Sequence, residues 1–219
     1  MKKLLLTLCL FSVSTAFADL IVVQEMEQPG AQAQKMEMPM KIKGDKIRMD
    51  MGPQASSILD MKSGGITMLM HPGKTYMVIP AETVKMMSAQ MRQQKEATPK
   101  STEKPQPTGK KQNINGFDTE EYILKTKDGT ITLWLAKNVP NQQLLVEQFK
   151  KMNDIGGQGG MPEVDYTTLP GFPIRIEVAN AGKPVGMMTI RSIQEVNLPE
   201  SDFQPPVGFK ETKMPAMPK

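Results

Sequence analysis

Every second residue is apolar over long stretches of the first third of this chain, and that spacing restricts the fold more than any other feature of the sequence. It is clearest on both sides of the Gly44-Asp45 dipeptide, where the alternating apolar residues are Met36, Met38, Met40 and Ile42, then Ile47, Met49 and Met51. Successive side chains of a strand point to opposite faces of a sheet. A period of two therefore predicts half-buried antiparallel strands.

Gly44 and Asp45 fit the two-residue turn of a β-hairpin. Such a turn fixes which residues of the two strands lie opposite each other. The pairs that it predicts on the apolar face are Ile42 with Ile47, Met40 with Met49, and Met38 with Met51.

The same register collects positive charge on the opposite face of this hairpin. It sets Lys43 across from Lys46 and Lys41 across from Arg48. Like charges directly across a ladder destabilise it, so this face must be solvated or matched by an anion, and the solvated arrangement is the expectation. Transient contact with a lipid head group or a membrane surface is the alternative interpretation.

The remaining pattern predicts further strands and two helices. The predicted strands are 57–61, 66–71, 75–79, a hairpin over 114–138 that turns near Asp128-Gly129, and two last strands at 173–180 and 185–197. The period changes to that of an amphipathic helix over 82–94, with Val84, Met87 and Met91 on one stripe, and again over 141–152.

The first eighteen residues have the features of a secretory signal peptide. Lys2 and Lys3 precede a short apolar run, and Ala16 and Ala18 form a small-residue cleavage pattern, so we expect cleavage after Ala18 and a periplasmic or secreted protein. The only cysteine, Cys9, lies inside this leader. The mature chain is therefore expected to have neither a disulfide nor a lipid-modified cysteine.

Composition divides the rest of the chain. Residues 19–210 are expected to form one β-rich domain. Residues 95–111 are rich in Pro, Thr and Lys without an apolar period, which predicts a flexible insert. Residues 211–219 are predicted to be a disordered tail.

Few side chains of the mature chain favour catalysis. It holds no cysteine and a single histidine, His71, which precedes Pro72-Gly73 and is predicted to be a solvent-facing turn residue. No nucleophile, phosphate-binding or clustered metal motif accompanies it. Removing Lys2 and Lys3 with the leader lowers the formal net charge from +4 to +2. We therefore expect no enzyme activity, no cofactor and no nucleic-acid partner.

Methionine is the anomaly, with 20 of the 219 residues. One explanation is a methionine-rich core, and a second is an adaptable apolar surface, because the unbranched thioether refits itself to varied ligands. A third is copper(I) binding, since thioethers are soft ligands. The residues of that third explanation are Met68, Met70 and His71, although strand alternation places His71 on the opposite face from the two methionines.

Four phrases of the sequence, in order, resemble a family of exported bacterial proteins, the domain of unknown function family DUF4412. They are "KIKGDKIRMDMG", "SSILDMKSGGITMLMHPGKTYMVI", "INGFDTEEYIL" with "LWLAKN", and "LPESDFQPPVGF". They also resemble, more distantly, the periplasmic lipoprotein carriers LolA and LolB. The resemblance implies a mainly β fold of the α+β type. Its parts are a curved antiparallel sheet or incomplete β-barrel and two short helices packed on the apolar concave face.

In those carriers the concave cavity takes up acyl chains, so the resemblance implies a non-catalytic carrier of an apolar ligand such as a lipid or a lipoprotein acyl chain. The residues expected to line the pocket are Met38, Met40, Ile42, Ile47, Met49, Met51, Val84, Met87 and Met91. Two alternatives stay open. One is a copper(I)-binding protein, and the other is an envelope structural or assembly protein with an unidentified protein partner and no ligand.

Overall fold

A computed structural model describes residues 19–28, 34–94, 104–126, 129–154 and 165–213. The predicted leader and its cleavage site lie outside the described residues, apart from Asp19, the first residue after the predicted cut. Residues 95–103 of the predicted insert and residues 214–219 of the predicted tail also lie outside them.

Within the described ranges the chain forms twelve strands and two α-helices. The strands are β1 (Asp19–Gln28), β2 (Gln34–Lys43), β3 (Lys46–Met51), β4 (Ala55–Asp60), β5 (Ile66–Met70), β6 (Thr75–Ile79), β7 (Gln106–Ile114), β8 (Phe117–Lys125), β9 (Gly129–Ala136), β10 (Phe172–Asn180), β11 (Lys183–Val196) and β12 (Lys210–Glu211). The helices are α1 (Ala81–Gln94) and α2 (Gln142–Asp154), with 3-10 turns at Tyr166–Thr168 and Glu200–Phe203.

All twelve strands belong to one sheet, in the order β12-β6-β5-β4-β3-β2-β1-β11-β10-β9-β8-β7. Neighbouring strands are antiparallel except β12 and β6, which are parallel. The sheet curves, but its edge strands β7 and β12 do not pair with each other, so it stays open. The predicted fold class, a mainly β incomplete barrel with two helices, is confirmed.

The hairpin of β2 and β3 has the predicted turn and most of the predicted register. Ile42 lies opposite Ile47 and Met40 opposite Met49. The ladder ends there, beside Pro39, which has no N–H to donate. The predicted pairing of Met38 with Met51 is therefore wrong, and Met38 instead lies opposite Gln24 of β1.

The two faces of the sheet are covered by different parts of the chain. We call the face that carries Leu20, Met40 and Ile42 the inner face, and α2 covers part of it. The α2 side chains Leu145 and Phe149 are buried in the same apolar cluster as these strand residues. The helix is also tied to the β2–β3 turn, since Gln148 Nε2 donates to the carbonyl oxygen of Gly44 at 3.5 Å.

The outer face is covered by the last described part of the chain, residues 197–213, which we call the C-terminal strap. Its Leu198 and Phe203 are buried against Ile58 of β4 and Leu69 of β5. Its end runs along β6 as the parallel strand β12. The sheet is therefore a middle layer with apolar contacts on both sides.

Carboxylates of the strap neutralise the basic face of the hairpin. Asp202 Oδ2 lies 2.7 Å from Lys41 Nζ, and Glu200 Oε2 lies 3.0 Å from Lys46 Nζ. Arg48 Nη1 donates to the backbone carbonyl of Asp202 at 3.0 Å. The face is therefore matched by anions, one of the two possibilities that the sequence left open, because acids distant in sequence fold back over these cations.

The predicted insert and the predicted tail are both shorter than composition suggested. Residues 106–111 belong to β7, and Lys210–Glu211 form β12. β7 is an edge strand, whose outward backbone faces solvent, so Pro107, Gly109 and two lysines are tolerated there. Because residues 106–113 are all exposed, the sequence shows no apolar alternation that would reveal the strand.

If the strap stabilises the sheet mainly through buried side chains, Phe203→Ala should lower the free energy of unfolding by about 3 to 5 kcal/mol, the usual cost of emptying a buried aromatic site. Urea unfolding followed by circular dichroism measures this. The matched control is Val207→Ala, which changes a fully exposed residue of the same strap and should have no measurable effect. Equal effects of the two variants would contradict the role of Phe203.

Candidate functional site

The inner face of strands β1 to β6 is organised as successive rows of side chains that cross the strands. The row nearest α2 is aliphatic throughout. Reading across the register from β1 to β6, its members are Leu20, Ile42, Ile47, Leu59, Ile66 and Ile79. Leu20, Ile42 and Ile47 are essentially inaccessible to solvent. This row is part of a closed core.

The next row consists mainly of methionine. Its members, in the same order of strands, are Val22, Met40, Met49, Ser57, Met68 and Met77. Met40 is fully buried, whereas Met49, Met68 and Met77 are half-buried. The row therefore lies between the closed core and the open part of the face.

A third row lies farther along the strands from the aliphatic row and contains both buried and exposed side chains. It contains Gln24 and Met38 on β1 and β2, and Met51, Ala55, Met70 and Thr75 on β3 to β6. Met70 is 47% exposed. Farther along β1 and β2, Met26 lies opposite Met36, which is 45% exposed. Apart from the buried Gln24, exposure therefore rises from the aliphatic row towards Met70 and Met36. We call the second and third rows, with Met26 and Met36, the methionine face.

Small side chains occupy the inner face of β4 between two methionine-bearing strands. They are Ala55 and Ser57. The methionines on the neighbouring strands, at the same level of the register, are Met49 and Met51 on β3 and Met68 and Met70 on β5. With about 4.8 Å between adjacent strands, the axes of β3 and β5 lie about 10 Å apart.

Gln24 is a buried polar residue of the face that sequence reasoning missed. Its side chain is inaccessible to solvent, and its Nε2 donates weakly to Met40 Sδ at 3.9 Å. Its Oε1 has no hydrogen-bond partner among the described residues. The available signal was its spacing, because Gln24 shares the alternation of Leu20 and Val22 and so occupies an expected apolar position.

The predicted helical part of the pocket differs from what the structure shows. Of α1, Val84 and Ser88 are buried, whereas Met86 is 54% exposed and Met87 is also exposed. The buried stripe follows the four-residue spacing from Val84 to Ser88, which leaves Met87 at its border. The side chain of Met91 lies outside the described residues. The helix begins next to the β4–β5 turn, where Gly64 approaches Ala81.

The three residues considered for copper do not converge. Met68 and Met70 belong to the methionine face, whereas His71 points to the outer face and its Nε2 lies 2.7 Å from Ser56 Oγ. The ring also meets Phe209 of the strap edge-on, at 5.9 Å between centroids. His71 lies in the turn after β5, as predicted, but it does not simply face solvent, because a neighbouring strand and the strap both contact it.

The hydrogen bonds that link His71, Ser56 and Asp50 indicate a structural role for these side chains. Ser56 Oγ donates to Asp50 Oδ1 at 2.6 Å, so its only proton is used and His71 Nε2 must donate to Ser56. A nucleophilic serine would instead donate to the imidazole. Ser56 is also fully buried. Among the described residues, no cluster of three or more His, Cys, Asp or Glu side chains could hold a metal ion.

The hydrogen bonds to Asp50 lower the pKa of its carboxyl. Burial on its own would raise the pKa of the carboxyl, but the hydrogen bonds from Ser56 and Arg48 outweigh it and hold the pKa below the ordinary value of 3.8. Arg48 Nε donates to the same carboxylate oxygen at 2.8 Å. Asp50 is therefore a stable anion at neutral pH.

A cleft of about 630 Å³ lies elsewhere, at the β7 side of the sheet. Its lining combines both signs of charge with amide and apolar groups, among them Lys111, Asp118, Glu120, Leu135 and Lys137. In the strand order, β1, β11 and β10 separate it from the methionine-bearing strands β2 to β6. The cleft and the methionine face are therefore separate features. Among the described helices, neither α1 nor α2 is long and apolar enough to cross a membrane.

A family model described as Domain of unknown function (DUF4412) matches residues 22–209. No curated protein sequence matches this chain. Solved structures do match at low identity. A structure of PNGF-II aligns with 91% of this chain at 11% identity and a TM-score of 0.41, and this chain spans only 31% of that chain.

Two other structures match along most of both chains. A LolA superfamily protein from Nitrosomonas europaea aligns with 87% of this chain and 91% of its own, at 10% identity and a TM-score of 0.33. A putative outer membrane lipoprotein-sorting protein domain from Vibrio parahaemolyticus aligns with 85% of this chain and 89% of its own, at 11% identity and a TM-score of 0.33. TM-scores this low support no inference about what this chain binds.

Replacing Gln24 tests whether its buried carbonyl oxygen destabilises the fold. Gln24→Leu removes an acceptor without a partner, at the cost of one weak bond to sulfur, so the free energy of unfolding should rise by about 1 kcal/mol. Chemical denaturation gives this value. Gln28→Leu, at an exposed position of the same strand, is the control and should change little. A clear loss of stability in Gln24→Leu would show that the amide is satisfied.

Acid titration tests the Asp50 hydrogen bonds. A carboxyl whose pKa is lower in the folded protein than in the unfolded protein stabilises the fold at any pH above its unfolded-state pKa. That stabilisation is lost as the pH falls towards and through its folded-state pKa. We therefore expect Asp50→Asn to be less stable at pH 7 and to lose less stability below 3.8, the ordinary pKa. Urea unfolding at a series of pH values measures both. Ser56→Ala keeps the carboxylate but removes a donor, and it should also flatten the acid dependence.

Proposed function

The chain belongs to the DUF4412 family, and we propose that it is a non-catalytic binding or carrier protein for an apolar ligand, such as a lipid or a lipoprotein acyl chain. The supporting observation is the graded methionine face. The neighbouring aliphatic row shares its apolar cluster with α2 from β1 to β4, whereas the methionines of β2 to β6, apart from the buried Met40, are half-buried or, at Met36 and Met70, exposed. The export signal predicted for residues 1–18 fits a protein that works in the cell envelope.

Partial exposure distinguishes this face from a solid core. A core methionine is covered on all sides, as Met40 and Met188 are. Met36 and Met70 are close to half exposed on the same face, and both are large apolar side chains. Contiguous exposed apolar surface on a folded protein commonly marks a site for a ligand, a partner or a membrane.

Methionine suits a ligand of variable shape better than leucine or isoleucine does. Its three rotatable bonds let the thioether follow irregular contours, and its polarisable sulfur makes favourable apolar contacts. Binding to such a surface draws its free energy from apolar area removed from water, about 25 cal/mol per Å². No covalent step is involved. The small side chains of Ala55 and Ser57, between the methionines of β3 and β5, leave room on this face for an extended ligand.

The test compares two residues that are equally exposed on opposite faces of adjacent strands. Met70 on β5 belongs to the methionine face, whereas Val78 on β6 belongs to the outer face, and each is 47% exposed. Met70→Asp should weaken binding of a dansyl-labelled fatty acid at least about tenfold, because the ligand would cover an unpaired charge. Val78→Asp should leave the affinity unchanged. Fluorescence titration measures both.

The other outcomes discriminate between the alternatives. A wild-type protein that does not bind the probe, or that binds it equally well after Met70→Asp, contradicts the proposal and favours an envelope structural protein. Native mass spectrometry of protein purified from its host without detergent provides an independent reading. A lipid-sized adduct supports the proposal, whereas a copper adduct would favour copper(I) binding by the methionines instead.

A further inference from the structure

We propose that Met36 and Met70 are sites of reversible oxidation to methionine sulfoxide, and that their oxidation releases an apolar ligand from the methionine face. The release step rests on the function proposed above. The oxidation itself rests only on the placement of the two thioethers, and it can be tested without a ligand.

The methionines of this face range from exposed to fully buried. Met36 and Met70 are 45% and 47% exposed, whereas Met40 on the same face and Met188 on β11 are fully buried. Oxidation of methionine requires that the oxidant reach the sulfur, so susceptibility follows exposure. We therefore expect the outer thioethers to react first and the buried ones to be protected.

No thiol of the mature chain competes for the oxidant. The only cysteine, Cys9, lies in the predicted leader, so beyond residue 18 every sulfur atom of the sequence belongs to a methionine. Outside the cytosol a protein also lacks the reducing thiol pools that would remove oxidants nearby. The exposed thioethers are then the softest nucleophiles that the chain offers.

The reaction needs an oxygen-donating two-electron oxidant, of which hydrogen peroxide is the simplest. The thioether sulfur attacks one peroxide oxygen, a sulfur–oxygen bond forms, and the O–O bond breaks. The sulfur is oxidised by two electrons, and the second oxygen leaves as water after taking up the proton of the first. A dithiol reductant reverses the step through a sulfoxide reductase. Its two thiols become a disulfide, and the sulfoxide oxygen leaves as water.

The sulfoxide oxygen changes the ligand surface without entering the core. Met70 is flanked in its row by Ala55 and Thr75, and Met36 lies opposite Met26. A strong acceptor placed there is hydrated while the face is empty, but an apolar ligand that covers it removes that water. The aliphatic row under α2 contains no sulfur, so oxidation of the outer rows leaves it intact.

The first experiment uses purified wild-type protein and graded hydrogen peroxide. Peptide mass spectrometry should show oxygen incorporated at Met36 and Met70 well before Met40 and Met188, while circular dichroism stays unchanged. The oxidised protein should bind the dansyl-labelled fatty acid about tenfold more weakly than the reduced protein. Treatment with methionine sulfoxide reductases A and B and a dithiol should restore the affinity.

Leucine variants show which thioethers are responsible. The double variant Met36→Leu, Met70→Leu keeps the apolar side chains but cannot be oxidised there, so its affinity should survive the same treatment. Met86→Leu is the matched control, because Met86 is 54% exposed on α1 and belongs to none of the rows. That variant should lose affinity on oxidation as the wild type does.

Several results would overturn the proposal. Simultaneous oxidation of buried and exposed methionines refutes the selectivity. An oxidised protein with unchanged affinity, or a double variant that loses affinity like the wild type, refutes the release step while the binding function stands. A reduced protein that does not bind the probe refutes the binding function and the release step together. The order in which the methionines are oxidised then still tests whether Met36 and Met70 are the oxidation sites.

Discussion

The strand register of β1 to β6 depends on burying one unbroken aliphatic row. That row crosses six strands from Leu20 to Ile79, and α2 covers its central part. A strand that slipped by one residue would turn its aliphatic side chain outwards and bring a polar or charged one under the helix. The burial of this row therefore also fixes which methionines share the inner face and which cations share the outer face.

The sequence predicts this half of the sheet well because local spacing and one turn determine it. Gly44-Asp45 fixes the pairing of Ile42 with Ile47 and Met40 with Met49, and the family recognised from the sequence is confirmed over residues 22–209. What it does not predict depends on distant contacts. Lys41 and Asp202 are 161 positions apart. Gln24 is a polar residue at a buried position, which alternation assigns to an apolar one. Strand β7 has no buried apolar residue before Ile114, so alternation does not indicate it.

The candidate site illustrates the same division. Alternation along β2 and β3 placed Met38, Met40, Met49 and Met51 on one face, because a strand needs only a period of two. Two features depend on how other elements pack against that face. They are the exposure of Met87 and the increase in exposure from the buried Met40 to Met70. Residue spacing alone predicts neither. A methionine count therefore indicates an unusual surface, but only the sheet register locates its open side.

The strap has a kinetic consequence. Asp19 Oδ2, on the first residue of β1, accepts a hydrogen bond from the backbone N–H of Leu198, and β1 pairs along its length with β11. The first strand therefore cannot complete its contacts until almost the whole chain is available. Contacts between sequence-distant residues slow folding, because the loop between them must close first. β2 can pair with β1 early, but the β11 side of the N-terminal strand stays unpaired while synthesis continues, which would delay folding of a chain that carries the predicted export signal.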